Sequence, residues 1–176
     1  MLAGKYRPIL RGVNSTRVWI KQQNAACERL LLERCEPLDA FEGGGHADTL
    51  RSLWRTLLEN HPHDSICGCS IDAVHDLDMR PRFDRVRTEG ERLVALLSAT
   101  LAGAGAAPVV WNALPWARDA VVPVSGRPTV VACAPLGVAA AVRARTDGVS
   151  APEPGVIVNE RLRVEVDGDG SFIVID

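Results

Sequence analysis

Apolar residues recur at helical spacing from about Asn14 to Ala102, and from about Val109 onward short β-branched runs alternate with Gly, Pro and Asp. The period changes at Gly103-Ala-Gly-Ala-Ala-Pro108, which reads as a linker. The first helix is predicted to begin near Ser15 or Thr16, either of which can cap it, and to run to about Cys35, because Pro37 disfavours helix just before it. Ile20, Cys27, Leu30 and Leu31 share its apolar side, and Gly43-Gly-Gly45 breaks the chain. Leu50, Leu53, Trp54, Leu57 and Leu58 follow the i, i+3, i+4, i+7, i+8 pattern of a second helix, capped by Asp48 or Thr49 and stopped at or before His61 by Pro62. A third is expected from a cap at Ser70 through Met79, ended or kinked by Pro81. Its continuation carries Phe83, Val86, Leu93, Val94, Leu97 and Leu101. Three helices with one apolar stripe each can bury those stripes against one another as a three-helix bundle.

In the second region Val109-Val-Trp111 and Val121 to Val124 read as strands separated by Asn112-Ala-Leu-Pro-Trp116. Leu162, Val164 and Val166 alternate with Arg163 and Glu165, and Asp167-Gly-Asp-Gly170 then turns the chain into Phe172 to Ile175, a hairpin. These are too few strands to close a sandwich.

Composition narrows the classes. With 176 residues, 47% hydrophobic and 24% charged, the chain is globular, one domain of ordinary size or two small ones. A net charge of −2 gives no electrostatic case for nucleic acid or an anionic membrane. Eighteen of the 20 basic residues are Arg, but they are scattered rather than massed. Met1-Leu-Ala-Gly-Lys5 lacks the apolar core of a secretory leader, and the most apolar stretch, Val130 to Val142, is too short to span a bilayer. Cysteines 27, 35, 67, 69 and 133 are odd in number and irregularly spaced, so a disulfide framework is not expected and a reducing cytoplasm is the expected compartment.

The candidate chemistry sits in His61-Pro-His-Asp-Ser-Ile-Cys-Gly-Cys-Ser70, which gathers two of the four histidines, an acid and two thiols between the second and third helices. Residue types alone leave three readings open. The segment can be a helix–helix turn, with Pro62 stopping one helix, Gly68 allowing a bend and Ser70 capping the next. It can be a self-contained zinc site of His61, His63, Cys67 and Cys69, with or without His75, although His-x-His and Cys-x-Cys spacings are cramped for a tetrahedron. Or one histidine and one aspartate can face outward to a site that another domain completes. No nucleophilic role is indicated for Cys67, which has no cationic sequence neighbour, and no phosphate loop, Gly-x-Ser-x-Gly or His-Glu-x-x-His motif is present.

Asn60-His-Pro-His-Asp-Ser-Ile-Cys-Gly-Cys-Ser-Ile-Asp72, followed by Ala73-Val-His75, resembles the motif of glycoside hydrolase family 38 α-mannosidases, whose eukaryotic form carries a Gln-His-His-Asp run leading into a Thr-Gly-Thr turn. Gly12-Val-Asn-Ser-Thr-Arg17, with Lys21 and Asn24, resembles the family's entry into its helical domain. Val110-Trp-Asn-Ala-Leu-Pro-Trp-Ala-Arg118 resembles the opening strand of its β-sandwich region, and Arg161 to Asp176 a later hairpin there.

The resemblance implies an α+β multi-domain fragment: residues 1–13 as the exit of an absent catalytic barrel, 14–102 as the three-helix bundle, 103–108 as linker, and 109–176 as the first antiparallel strands of a β-sandwich. It implies zinc as cofactor, His63 as a metal ligand and Asp64 as the acid that binds hydroxyls of mannose in an oligosaccharide substrate. The remaining zinc ligands, the nucleophile and the general acid of a retaining hydrolysis then lie in the N-terminal barrel, the chain's essential partner, and the fragment alone is expected to be inactive. The alternative from another class is a non-catalytic zinc-binding or interaction module. Between His75 and Phe83 the chain carries one residue more than the family pattern, which bears on the register of the third helix.

Overall fold

The computed structural model describes residues 12–104, 108–124, 126–140 and 148–176, which fall into two compact units, Met1–Gly103 and Ala104–Asp176. Of the expected barrel exit, only Gly12 and Val13 lie within the described residues, and the middle of the expected linker lies outside them.

The first unit is helical. Helix α1 (Val18–Arg29) continues without a break through a π-helical segment, Leu30–Cys35, into α2 (Glu36–Phe41). It begins later than Ser15 or Thr16, whose hydroxyls turn back to the Gly12 carbonyl at 3.1 and 2.8 Å instead of capping it. Nor does it end before Pro37. The backbone N–H of Glu36 donates to Leu31, five residues back. That wider turn relieves the clash Pro37 would otherwise make with the carbonyl four residues before it. The same device recurs in the third rod, where the π segment Val74–Met79 ends with Arg80 N–H donating to His75, and α5 (Arg80–Ala102) runs on through Pro81. A π turn takes up one residue more than an α turn. Beyond it Phe83, Val86, Leu93, Val94 and Leu97 lie in the core.

Between these rods lie α3 (Ala47–Leu58) and the short α4 (His63–Cys67). The core joins Ile20, Cys27, Leu30, Leu31, Cys35 and Leu38 of the first rod to Leu50, Leu53 and Leu57 of α3 and the apolar face of α5. The stripe of α3 is narrower than its pattern suggests. Leu58 is exposed and Trp54 only half-buried, while Thr56 is buried beneath Arg85, whose Nη1 donates to its hydroxyl at 3.1 Å. Gly90 lets the first rod approach α5 closely, since a Cβ there would stand 2.8 Å from Leu30 Cδ2. Beside it the Cys35 thiol donates to the Gly90 carbonyl at 3.4 Å, and Cys27 donates to that of Phe83 at 3.8 Å. Burial pushes both thiols up to about 11, so they act as small apolar residues.

In the second unit β1 (Val109–Asn112) pairs with β4 (Gly137–Ala140), and β2 (Arg118–Val124) with β3 (Arg127–Cys133). A meander follows: β5 (Ser150–Glu153), β6 (Val156–Val158), β7 (Arg163–Val166) and β8 (Phe172–Ile175), hydrogen-bonded in that order. All pairings are antiparallel, and they make three separate sheets among the described residues. The hairpin expected at the end is present, with Val166 opposite Phe172. Its inward–outward alternation is not: Leu162 and Val166 are exposed, as is every residue of β8. Buried Asn112 organises the Asn112–Trp116 turn, its Nδ2 donating to Trp116 and Ala134 carbonyls at 2.8 and 2.9 Å while its Oδ1 accepts from Leu114 N–H.

Candidate functional site

The polar loop is built around α4. Pro62 stands at its N-cap with extended ψ (137°), and Gly68 closes its C-terminus at φ 89°. One carbonyl, that of Asp64, accepts the N–H groups of Gly68, Cys69 and Ser70 at 3.2, 3.1 and 3.1 Å, so residues 64–70 form a tight knuckle. Ser70 is therefore engaged with the knuckle, and no side-chain hydrogen bond caps the third rod. None of the five residues of α4 is buried.

His63 and Asp64 occupy the first two positions of α4. The His63 side chain is 91% exposed and that of Asp64 63%, with His63 Nε2 3.3 Å from Asp64 Oδ1. The same carboxylate oxygen accepts the Cys69 thiol at 3.3 Å. That hydrogen bond holds the thiol above its ordinary pKa, with burial and the Asp64 charge acting in the same direction. Cys69 is thus a donor to Asp64 and a poor nucleophile.

The other candidate ligands are dispersed. His61 Nε2 lies 2.7 Å from Asn24 Oδ1, and Cys67 is half-buried. His75 is fully buried in the π segment, and neither of its ring nitrogens meets a hydrogen-bond partner among the described residues. Among the described residues no three His, Cys, Asp or Glu side chains converge to hold a metal, so the self-contained zinc site of His61, His63, Cys67, Cys69 and His75 is not formed.

Three side chains of the first rod reach this loop. Arg17 Nε donates to the Gly68 carbonyl at 3.0 Å and Arg17 Nη2 to Asp72 Oδ1 at 2.6 Å. Lys21 Nζ donates to the Cys67 carbonyl at 2.9 Å and to that of Thr16 at 2.6 Å. Asn24 meets the His61 ring. Their contacts were not anticipated from sequence; Lys21 and Asn24, three apart, share one face of α1, whereas Arg17 stands at its N-cap in the left-handed region, which spacing does not reveal.

Fold and loop together define a helical domain, followed by antiparallel sheets, that carries an imidazole and a carboxylate on its surface. The sequence model of the alpha mannosidase middle domain matches residues 9–101. The putative mannosylglycerate hydrolase of Halalkalibacterium halodurans is 43% identical over 83 residues, 46% of this chain and 9% of that protein. Human alpha-mannosidase 2C1 is 31% identical over 115 residues, 61% of this chain and 11% of that protein. A glycosyl hydrolase family 38 protein from Enterococcus faecalis superposes with a TM-score of 0.71 over 94% of this chain and 30% of its own, at 22% identity. An alpha-mannosidase from Enterococcus faecalis V583 does so at 0.68, over 28% of its length. The chain belongs to the glycoside hydrolase family 38 α-mannosidases, through their middle domain. It spans 9–11% of the length of these curated relatives.

Proposed function

We propose that this chain is the helical middle domain, a three-helix bundle, and the opening β-sandwich strands of a zinc-dependent retaining α-mannosidase. His63 supplies one zinc ligand and Asp64 binds mannose hydroxyls. The observation that carries the reading is the exposure of these two adjacent side chains at the head of α4, within the segment matched by the family. An exposed imidazole suits zinc, and a single imidazole cannot hold the ion alone. The resemblance to the family assigns the other ligands, the nucleophile and the general acid to a catalytic barrel outside these 176 residues.

When bound, zinc supplies a Lewis-acid grip on sugar hydroxyls. This chain's part is to present the His63 ring and to hold the Asp64 carboxylate where it accepts hydroxyl protons. The barrel's two carboxylates then carry out displacement with retention, one forming the mannosyl ester while the other protonates the leaving oxygen and later activates water. The substrate class is terminal α-mannosides of oligosaccharides and the compartment the cytoplasm. No helix among the described residues is long and apolar enough to cross a membrane. A second reading, hydrolysis of mannosylglycerate, is favoured by the 43% identity to the putative hydrolase of that compound.

The test uses a chain in which the barrel precedes these residues. His63→Ala is expected to lower kcat/KM on an aryl α-mannoside by about a hundredfold or more and to deplete bound zinc, exceeding the ten- to hundredfold typical of outer-sphere partners. The 176-residue chain alone should show no turnover. Full activity and full zinc content in His63→Ala would overturn the reading. Comparing kcat/KM on mannobiose and on mannosylglycerate separates the two substrates.

A further inference from the structure

We infer that Arg17, Lys21 and Asn24 are positioning residues that aim His63 and Asp64, an inference resting on the roles proposed above for those two side chains. A five-residue helix with no fully buried residue is held only weakly by packing, and it is too short to be stable by itself. What locates α4 is polar contact on both of its flanks. Asn24 holds His61 before it; Lys21 and Arg17 hold the carbonyls of Cys67 and Gly68 at its end, and Arg17 also holds Asp72 beyond. Those two carbonyls lie where a helix leaves acceptors without intrahelical donors, and cationic donors suit them doubly.

Two further features show that the contact is built in. Arg17 sits in the left-handed region at φ 46°, unusual for a residue with a Cβ, and this conformation coincides with its reach to Gly68. Gly68 packs so closely that a Cβ there would stand 3.2 Å from Thr16 Cγ2 and 3.3 Å from Arg17 Cβ. The clamp is thus a rigid link from the first rod to the knuckle whose amides converge on Asp64. The apolar core that holds the rods together involves none of the three side chains.

Amide hydrogen exchange and the His63 ring resonances, followed by NMR in the 176-residue chain, test this directly. Lys21→Met removes the donor and keeps the stem. Exchange at Gly68, Cys69 and Ser70, whose N–H groups all donate to Asp64, is expected to accelerate at least about tenfold. Leu93 and Val94 in the core should change less than about twofold, and the His63 ring signals should shift. Lys21→Arg, which keeps a donor, should restore both readouts. Unchanged exchange in the knuckle would overturn the inference. So would equal acceleration in the core, loss of folding, or failure of Lys21→Arg to rescue, each of which marks a purely structural role. The outcome is separable from the reading of His63: the clamp can fail while His63→Ala still depletes zinc, and can hold while it does not.

Discussion

Cys27 and Cys35 are protonated in the fold to about pH 11, against an ordinary 9.0, because burial disfavours the thiolate. The unfolded chain therefore releases these protons first. The stability they contribute is fully present below pH 9 and is lost as pH rises toward 11. Urea unfolding at pH 8 and pH 10.5 should show a fall in stability that is smaller in the Cys27→Ala, Cys35→Ala double variant than in the parent chain, and an equal fall in both would refute the attribution. His75 presents the opposite case, a buried ring whose two nitrogens lack partners among the described residues. Leucine has nearly the same volume and no polar atom to leave unpaired. His75→Leu should therefore stabilise the chain by about 1–3 kcal/mol, read as a higher midpoint in urea. At this scale the sequence spoke plainly about Ile20, Cys27, Leu30 and Leu31, whose spacing alone marks them as core. It offered His75 only as an optional zinc ligand and gave no sign of its burial, because a histidine's environment is set by what packs over it and not by its own periodicity.

Helices are where proline misled the reading. A proline's missing N–H and its ring speak against an α turn, and from that rule Pro37 and Pro81 should end or bend their helices. Each instead follows a six-residue π segment and takes the second position of the α-helix beyond it. The rule concerns α register, and a local change of register removes its premise. Leu77 lies in the second of these segments with 73% of its surface exposed, so its deletion removes no core contact. Deletion should return the turn to α geometry and bring the Pro81 ring against the carbonyl four residues earlier. A loss of about 3 kcal/mol is expected. Adding Pro81→Ala should recover most of it, whereas Pro81→Ala in the undeleted chain should change little. Additive effects in that double-mutant cycle would show that π turn and proline are unconnected. The β elements were legible only where β-branched residues ran together. The span covering β3 and β4 reads from sequence only as apolar, since Pro128, Pro135 and Gly137 interrupt it.

For the molecule as a whole, the two units differ in how well they cover apolar surface. Among the described residues nearly all buried apolar side chains belong to the helices, and only Val131, Cys133 and Val156 belong to strands. The four-stranded sheet ends in β8, an edge strand on which Phe172, Ile173, Val174 and Ile175 are each about half exposed or more, from 47 to 66%. An edge that combines unpaired backbone groups with apolar side chains on both faces templates pairing with another strand. For these 176 residues in isolation, concentration-dependent self-association is therefore expected in sedimentation velocity. Val174→Lys should suppress it, because an edge lysine must be desolvated before a second strand can dock. A parent chain that stays monomeric at the highest concentrations reached, or a Val174→Lys variant that associates as strongly, would show that β8 does not drive association.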